Sequence, residues 1–127
     1  MKRERIAIDG SGVLTVPTDA AHIAMTEYEI AELFHVIAPT VRATIKAVYK
    51  SGVIREYDAK RYLRQANGNG IEVYGIEMIV ALAFRIDSFG ANKVREHLFR
   101  ILRMNEKRFS VHLLLSCSRN AETIPPN

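Results

Sequence analysis

The chain has 127 residues, of which 48% are hydrophobic and 25% are charged, and its formal net charge is +4 at pH 7. This length suits one domain with a real hydrophobic core, and the ordinary composition excludes a wholly disordered chain. The positive charge favours a polyanionic partner without identifying one. A single cysteine, Cys117, excludes an internal disulfide bond and a thiolate metal cage. Residues 1–24 lack the apolar segment of a signal peptide, and no apolar run is long enough to span a bilayer, so we expect a cytoplasmic protein with no membrane partner.

The N-terminal stretch predicts a small sheet fragment. Residues 5–8 and 13–16 have the composition of two short strands, and they flank the turn sequence DGSG. Pro17 and Asp19 interrupt the pattern after the second strand. Residues 22–25 are predicted to add another short strand before the first helix. We expect this fragment to pack on the helices that follow.

Residues 26–50 predict a helix, a tight turn and a second helix. Thr26 and Glu29 have the spacing of a capping box, in which each side chain accepts a hydrogen bond from the other residue's backbone N–H. Apolar residues then recur at helical spacing, at Ile30, Leu33 and Phe34. The turn is predicted at about residues 35–38. Pro39 suits the first position of the next helix, where its missing N–H has no intrahelical partner to lose.

The second helix of this pair has an apolar stripe and a polar face opposite it. The stripe consists of Val41, Ile45 and Val48. The polar face carries the candidate DNA-contacting residues Thr40, Arg42, Ala43, Lys46 and Lys50. In the major groove, Arg pairs bidentately with guanine, Thr bonds a base or touches a thymine methyl group, and Lys neutralises phosphate. An ordinary helical hairpin with a solvated basic face is the alternative that this pattern leaves open.

Residues 51–74 are compatible with two local structures. Gly52 is predicted to end the preceding helix in the left-handed conformation. The sequence NGNG at residues 67–70 predicts a β-hairpin in which residues 60–65 pair with residues 71–74. Ala59, Tyr62, Leu63 and Ala66 also sit at helical spacing, so a helix capped by Gly68 is the alternative. We favour the hairpin, because a strand at residues 71–74 needs a neighbour. Its candidate DNA contacts, on a basic wing, are Lys60, Arg61 and Arg64.

The C-terminal part predicts two further helices. Residues 76–86 are apolar nearly all round and indicate a core helix, after which Gly90 is expected to help form a turn. Residues 91–107 are amphipathic, with Val94, Leu98, Ile101 and Leu102 on one face and with Arg95, Arg100, Arg103, Lys107 and Arg108 making the rest basic. This basic surface is either a solvated face or a surface for phosphate or a partner. We expect a homodimer through this helix or through the apolar run at residues 111–115.

Two blocks of the chain carry a family pattern. The first block is AELFHVIAPTVRATIKAVYKSGVIRE, with matches at Ala31, Glu32, Leu33, Phe34, Thr40, Val41, Ile45 and Gly52. The second block is IEVYGIEMIVALAFRIDSFGANKVREHLFRIL, with matches at Tyr74, Ile76, Glu77, Ile79, Ala81, Phe84, Arg85, Ile86, Asp87 and Ser88. The two blocks cover roughly residues 25–103 in the right order. The sequence thereby resembles the RhuM family, bacterial "virulence protein" relatives that also occur in mobile elements.

The resemblance implies a DNA-binding-like module, and the chain departs from the family pattern at three places. His35 stands where a turn glycine is usual, and His is among the residues that best tolerate a left-handed backbone. Ile37 and Ala38 replace the polar cap that usually opens the recognition helix. The chain after about residue 104 lacks the family's continued helix.

We therefore predict an α+β fold, namely a mainly helical, winged-helix-like helix-turn-helix domain with small β-hairpins. Residues 1–107 are predicted to form this single domain, and residues 108–127 a short, partly disordered C-terminal extension. The predicted function is binding of double-stranded DNA, as a transcriptional regulator or accessory protein of a mobile element. The alternative is a protein-interaction or targeting module that kept the fold without operator binding.

No residue pattern indicates catalysis or a metal site. The four histidines, which are His22, His35, His97 and His112, are not at metal-ligand spacing. Cys117 lacks the paired histidine signature of a nucleophilic cysteine. We expect no enzyme activity, no cofactor and no bound metal ion.

Overall fold

A computed structural model describes residues 3–104. Over this range the chain forms five α-helices and two antiparallel two-stranded sheets, so the fold mixes helix and strand as the sequence predicted. The chain divides into two compact units, Met1–Arg95 and Glu96–Asn127. The predicted C-terminal extension and the apolar run at residues 111–115 lie outside the described residues.

The first sheet is shorter than the sequence predicted. Its strands are β1 (Ala7–Ile8) and β2 (Leu14–Thr15), which pair antiparallel. The Asp9 carboxylate builds the turn between them, because its Oδ1 accepts from Ser11 N at 2.8 Å and from Val13 N at 3.0 Å. The two predicted strands are therefore confirmed in place.

The strand predicted at residues 22–25 is reduced to isolated bridges. A 3-10 helix, Ala20–His22, precedes them. Ile23 then bridges to Glu4 in parallel, and Met25 bridges to Tyr74 in antiparallel orientation. Met25 N donates to Tyr74 O at 3.0 Å, and Tyr74 N donates to Met25 O at 2.8 Å. The segment that enters the first helix is thereby attached to the second sheet.

The predicted helix–turn–helix segment forms α1 (Glu27–Phe34) and α2 (Ala38–Ser51). The capping box is confirmed, since Glu29 N donates to Thr26 Oγ1 at 3.2 Å and Thr26 N donates to Glu29 Oε1 at 2.8 Å. His35 ends α1 in the left-handed conformation, with φ of 58°. Ile37 caps α2 without a side-chain hydrogen bond, and Pro39 is the second residue of α2 rather than the first.

The apolar faces of α1 and α2 form the first part of the core. Phe34 and Ile30 of α1 are fully buried, as are Val41 and Val48 of α2, and Ile45 is nearly so. This burial confirms the predicted stripe on the second helix. Gly52 then ends α2 with φ of 81°, the left-handed conformation that favours glycine.

The hairpin is confirmed over the helical alternative. It consists of β3 (Lys60–Arg64) and β4 (Gly70–Tyr74), preceded by the short helix α3 (Glu56–Ala59). The strands pair antiparallel, with Leu63 opposite Ile71, and Gly68 in the connecting turn has φ of 88°.

The last two helices are α4 (Ile76–Ala83) and α5 (Phe89–Met104). Helix α4 is a core helix as predicted, with Met78, Ile79, Leu82 and Ala83 completely buried. It ends earlier than expected, and the Arg95 guanidinium donates to the carbonyl oxygens of Ala83 and of Ile86, the latter at 2.9 Å. The bond to Ala83 satisfies a carbonyl that the end of α4 leaves without an intrahelical partner, and the bond to Ile86 fixes the segment that follows the helix. None of the helices within residues 3–104 is both long enough and apolar enough to cross a membrane.

The prediction that Gly90 forms part of a turn is wrong. Gly90 is buried inside α5, at the point where α5 meets the end of α1. A Cβ atom added to Gly90 would lie 1.9 Å from the carbonyl oxygen of Leu33 and 2.5 Å from the Cα of Phe34. Glycine is needed here because the two backbones approach too closely for any side chain.

Candidate nucleic-acid interface

All five residues of α2 that were predicted to contact DNA lie on the exposed face of this helix. The buried stripe takes one side of α2, so helical periodicity directs the remaining positions outward. The exposed predicted residues are Thr40, Arg42, Ala43, Lys46 and Lys50. The structure therefore leaves a side of α2 open to a partner, with one arginine and two lysines on it.

Arg42 is held by a carboxylate from the neighbouring helix. Its Nη2 donates to Glu27 Oε1 at 2.7 Å, and Glu27 is the first residue of α1. The hydrogen bond to Glu27, reinforced by the charge of its carboxylate, raises the pKa of Arg42 above its ordinary value. A carboxylate at the N-terminus of a helix is favourable in itself, whatever it pairs with. The contact joins positions far apart in the chain, so no local sequence pattern indicated it.

Strand alternation separates the three predicted residues of the wing. Lys60 and Arg64 lie on one face of the hairpin and Arg61 on the other, because successive strand residues point to opposite faces. Lys60 Nζ lies 3.4 Å from Glu56 Oε2 and 3.5 Å from Glu72 Oε2. Arg61 Nη2 donates to the carbonyl oxygen of Ile23 at 3.3 Å. Arg64 is exposed, so it is the wing cation that the structure leaves most accessible.

A cleft of about 250 Å³ lies between α2 and the hairpin. Its walls combine three carboxylates and three cations with two tyrosines and an isoleucine, which are Glu27, Glu56, Glu72, Arg42, Lys46, Lys60, Tyr49, Tyr74 and Ile45. The charges balance, so this cleft attracts phosphate less than an all-cationic groove would. Attraction to a polyanion depends instead on the lysines along α2 and on Arg64.

Tyr49 carries a buried hydroxyl group in the wall of this cleft. Its Oη has no hydrogen-bond partner among the described residues. Burial, as the largest cause, raises the pKa of Tyr49 to about 12. The nearby Tyr74, Glu56 and Glu72 add to that rise, and Lys60 opposes it. The hydroxyl thus stays neutral, and a buried polar group without a partner is costly.

Two of the three histidines within the described range, His22 and His35, make local contacts. His22 Nδ1 lies 2.6 Å from Asp19 Oδ2, and the His35 ring stacks on Phe89 with centroids 5.4 Å apart. Within residues 3–104, no three His, Cys, Asp or Glu side chains are grouped closely enough to hold a metal ion. His112 and Cys117 lie outside the described residues.

No protein-family model, curated protein or solved structure matches this chain. The resemblance to the RhuM family therefore stays a prediction that rests on the two sequence blocks. Function is therefore inferred from the geometry of α2, of its partner helix α1 and of the hairpin.

Proposed function

We propose that this chain binds double-stranded DNA through α2, as a winged-helix-like helix-turn-helix protein of the RhuM kind. In this proposal α2 enters the major groove, α1 braces it from behind, and the β3–β4 hairpin is the wing. The biological role is that of a transcriptional regulator or accessory protein of a mobile element, acting in the cytoplasm.

The observation that carries the proposal is the open face of α2 opposite its buried stripe. Thr40, Arg42 and Ala43 lie near the N-terminal end of α2, where a recognition helix contacts base edges. Lys46 and Lys50 lie further along the same open face, where they suit phosphate contacts. The net charge of +4 supports an attraction to a polyanion in general.

The wing adds a smaller contribution to the proposed interface. Lys60 and Arg61 are engaged within the protein, by two carboxylates and by a backbone carbonyl respectively. Arg64, near the hairpin tip, is free to contact a phosphate without breaking such a bond. We therefore expect Arg64→Ala to weaken DNA binding more than Arg61→Ala does.

Binding of random-sequence duplexes, measured by fluorescence anisotropy over a range of salt concentrations, tests the proposal. Arg42→Ala should cost about 1–3 kcal/mol on a preferred site and relax the preference at one base pair. Lys46→Ala should weaken binding to all sequences alike and reduce the salt slope by roughly one unit. Arg85→Ala, at an exposed position outside α2 and the hairpin, is the matched control and should leave binding unchanged. A protein that binds no duplex at low salt would contradict DNA binding.

The balanced cleft supports a protein-interaction module as a second function. In the cleft between α2 and the hairpin, three carboxylates balance the three cations. Tyr57 and Tyr62, which are close in sequence to the cleft residue Lys60, are exposed. Exposed tyrosines with few unpaired charges are typical of protein interfaces. This function predicts that Tyr57→Ala or Tyr62→Ala releases a protein partner in a pull-down, and that the wild-type protein binds no duplex DNA at low salt.

A further inference from the structure

The start of α1 holds Glu27 in a fixed place. The capping box of Thr26 and Glu29 orders the first turn of the helix. Glu29 Oε1 also accepts from Arg3 Nη1 at 2.5 Å, and its Oε2 accepts from Arg5 Nη1 at 3.0 Å. These bonds fasten the N-terminal segment to α1, so the backbone that carries Glu27 has little freedom to move.

The ion pair between Glu27 and Arg42 leaves much of the guanidinium group accessible. The side chain of Arg42 is 52% exposed, whereas that of Glu27 is only 20% exposed. A guanidinium carries five N–H donors in a planar fork, so one bond to a carboxylate leaves donors for a second acceptor. The bond also restricts a flexible side chain before any ligand arrives. A fork that is already oriented loses less conformational freedom on binding.

We propose that Glu27 is a specificity-determining residue that positions Arg42 to read a guanine in the major groove. The inference rests on the proposed DNA binding and adds to it a role for α1. The carboxylate orients the guanidinium plane, and its negative charge disfavours a phosphate at the same place. Arg42 is thereby directed to the O6 and N7 acceptors of guanine, which require two donors in a fixed geometry.

Selection of preferred sequences from a random duplex pool, followed by binding measurements on duplexes that differ at one base pair, tests this role. The wild-type protein should prefer guanine at one position by roughly tenfold or more, and Arg42→Ala should remove that preference. Glu27→Ala should reduce it to within about threefold while binding to the other sequences stays equal or becomes tighter, because a negative charge is lost.

Two further variants distinguish the positioning of Arg42 by Glu27 from a general effect of losing a negative charge. Glu32→Ala removes the same charge from an exposed position on the same helix, outside the ion pair, and should keep the full preference for guanine. Combining Glu27→Ala with Arg42→Ala should lose no more preference than Arg42→Ala alone, because the two residues act as one unit. A double variant whose preference falls at a second base pair would contradict the positioning role.

The measurements distinguish a failure of the positioning role of Glu27 from a failure of DNA binding itself. If Glu27→Ala prefers guanine as strongly as the wild-type protein, the positioning role is overturned and DNA binding stands. If the wild-type protein binds no duplex at low salt, the proposed function fails and this inference fails with it. Thermal denaturation identifies any unfolded variant. Should Glu27→Ala not fold, Glu27→Met replaces it, because methionine has a similar size and lacks the carboxylate that accepts from Arg42. An unchanged guanine preference in Glu27→Met overturns the inference.

Discussion

Gly90 is a single residue on which the contact between two helices depends. Its substitution by alanine places a Cβ 1.9 Å from Leu33 O, and both contacted groups are backbone atoms that do not rotate away. We expect Gly90→Ala to lower the free energy of unfolding by about 1–3 kcal/mol, the usual cost of overpacking a core, or more. Urea denaturation followed by circular dichroism measures this change.

Gly10→Ala is the matched control for this prediction. No atom lies within 4 Å of a Cβ added there, and its φ is outside the left-handed region. Its effect should stay within about 0.5 kcal/mol. Equal effects of the two substitutions would contradict the close approach of α5 to α1.

Tyr49 is a second residue whose effect on stability can be predicted, since its hydroxyl group is expected to destabilise the fold. Because its Oη is buried without a partner, removing it relieves a desolvation cost. Tyr49→Phe should therefore raise the free energy of unfolding by on the order of 1 kcal/mol. The control is Tyr62→Phe, which loses an exposed hydrogen bond of 2.6 Å to Glu72 and should change stability little. A clear loss of stability in Tyr49→Phe would show that the hydroxyl has a partner.

The pH dependence of stability provides a second measurement on Tyr49. Its pKa of about 12 lies above the ordinary value of 10, so the folded state keeps a proton that the unfolded state releases. Ionisation of Tyr49 therefore leaves stability unchanged below about pH 10, and stability falls as pH rises towards 12 because the unfolded state ionises first. We expect Tyr49→Phe to flatten this alkaline decline, as measured by denaturant unfolding at each pH.

At the scale of elements, the start of α1 depends on Glu29. Burial raises the pKa of this carboxyl, but the hydrogen bonds from Arg3 and Thr26 and the charges of Arg3 and Arg5 outweigh burial and lower it below 4.5. A lowered carboxyl pKa adds stability above about pH 4.5, and this stability is lost as pH falls below that value.

Two substitutions of Glu29 test this contribution. Glu29→Ala removes the acceptor for Thr26 N and should cost about 1–2 kcal/mol at neutral pH. Glu29→Gln keeps an acceptor but loses the charge, so its stability should fall less steeply between pH 5 and pH 3 than that of the wild-type protein, by the linkage of protonation to folding. Glu32→Gln is the control on the same helix. Acid unfolding that is identical in the wild-type protein, Glu29→Gln and Glu32→Gln would contradict the role of Glu29.

The elements that the sequence predicted well are those fixed by local chemistry. The capping box at Thr26 and Glu29, the left-handed end at Gly52 and the hairpin turn around Gly68 each depend on residues close together in the chain. Local hydrogen bonds and backbone preferences decide such features, so a short window of sequence contains the information.

The features that the sequence did not predict depend on contacts between distant residues. Gly90 is a close-packing position only because α5 meets the backbone of Leu33. Arg95, predicted to join a basic surface, instead donates to the backbone carbonyls of Ala83, at the end of α4, and of Ile86, just after it. For the candidate site, the open face of α2 followed from helical periodicity, whereas the pairing of Arg42 with Glu27 depends on how α1 packs against α2.

At the scale of the whole molecule, we expect self-association through α5. Near its end, Leu102 is 57% exposed and Met104 is 78% exposed, which leaves apolar surface open on this helix. Helix-turn-helix proteins usually read paired half-sites as dimers. Sedimentation equilibrium should show a dimer at high protein concentration, and Leu102→Glu should shift it to monomer. Val53→Glu, at an exposed apolar position outside α5, is the control and should leave the dimer intact. A wild-type protein that stays monomeric would contradict this expectation.

The pair of hydrogen bonds between Met25 and Tyr74 has a consequence for the order in which the protein folds during synthesis. The ribosome completes α1 and α2 before it adds β4, and contacts between neighbouring helices form faster than those that close a long stretch of chain. The nascent helices therefore exist for a time with the Met25 backbone still hydrated. Attachment of the hairpin is a late event, and we expect unfolding to begin with its release.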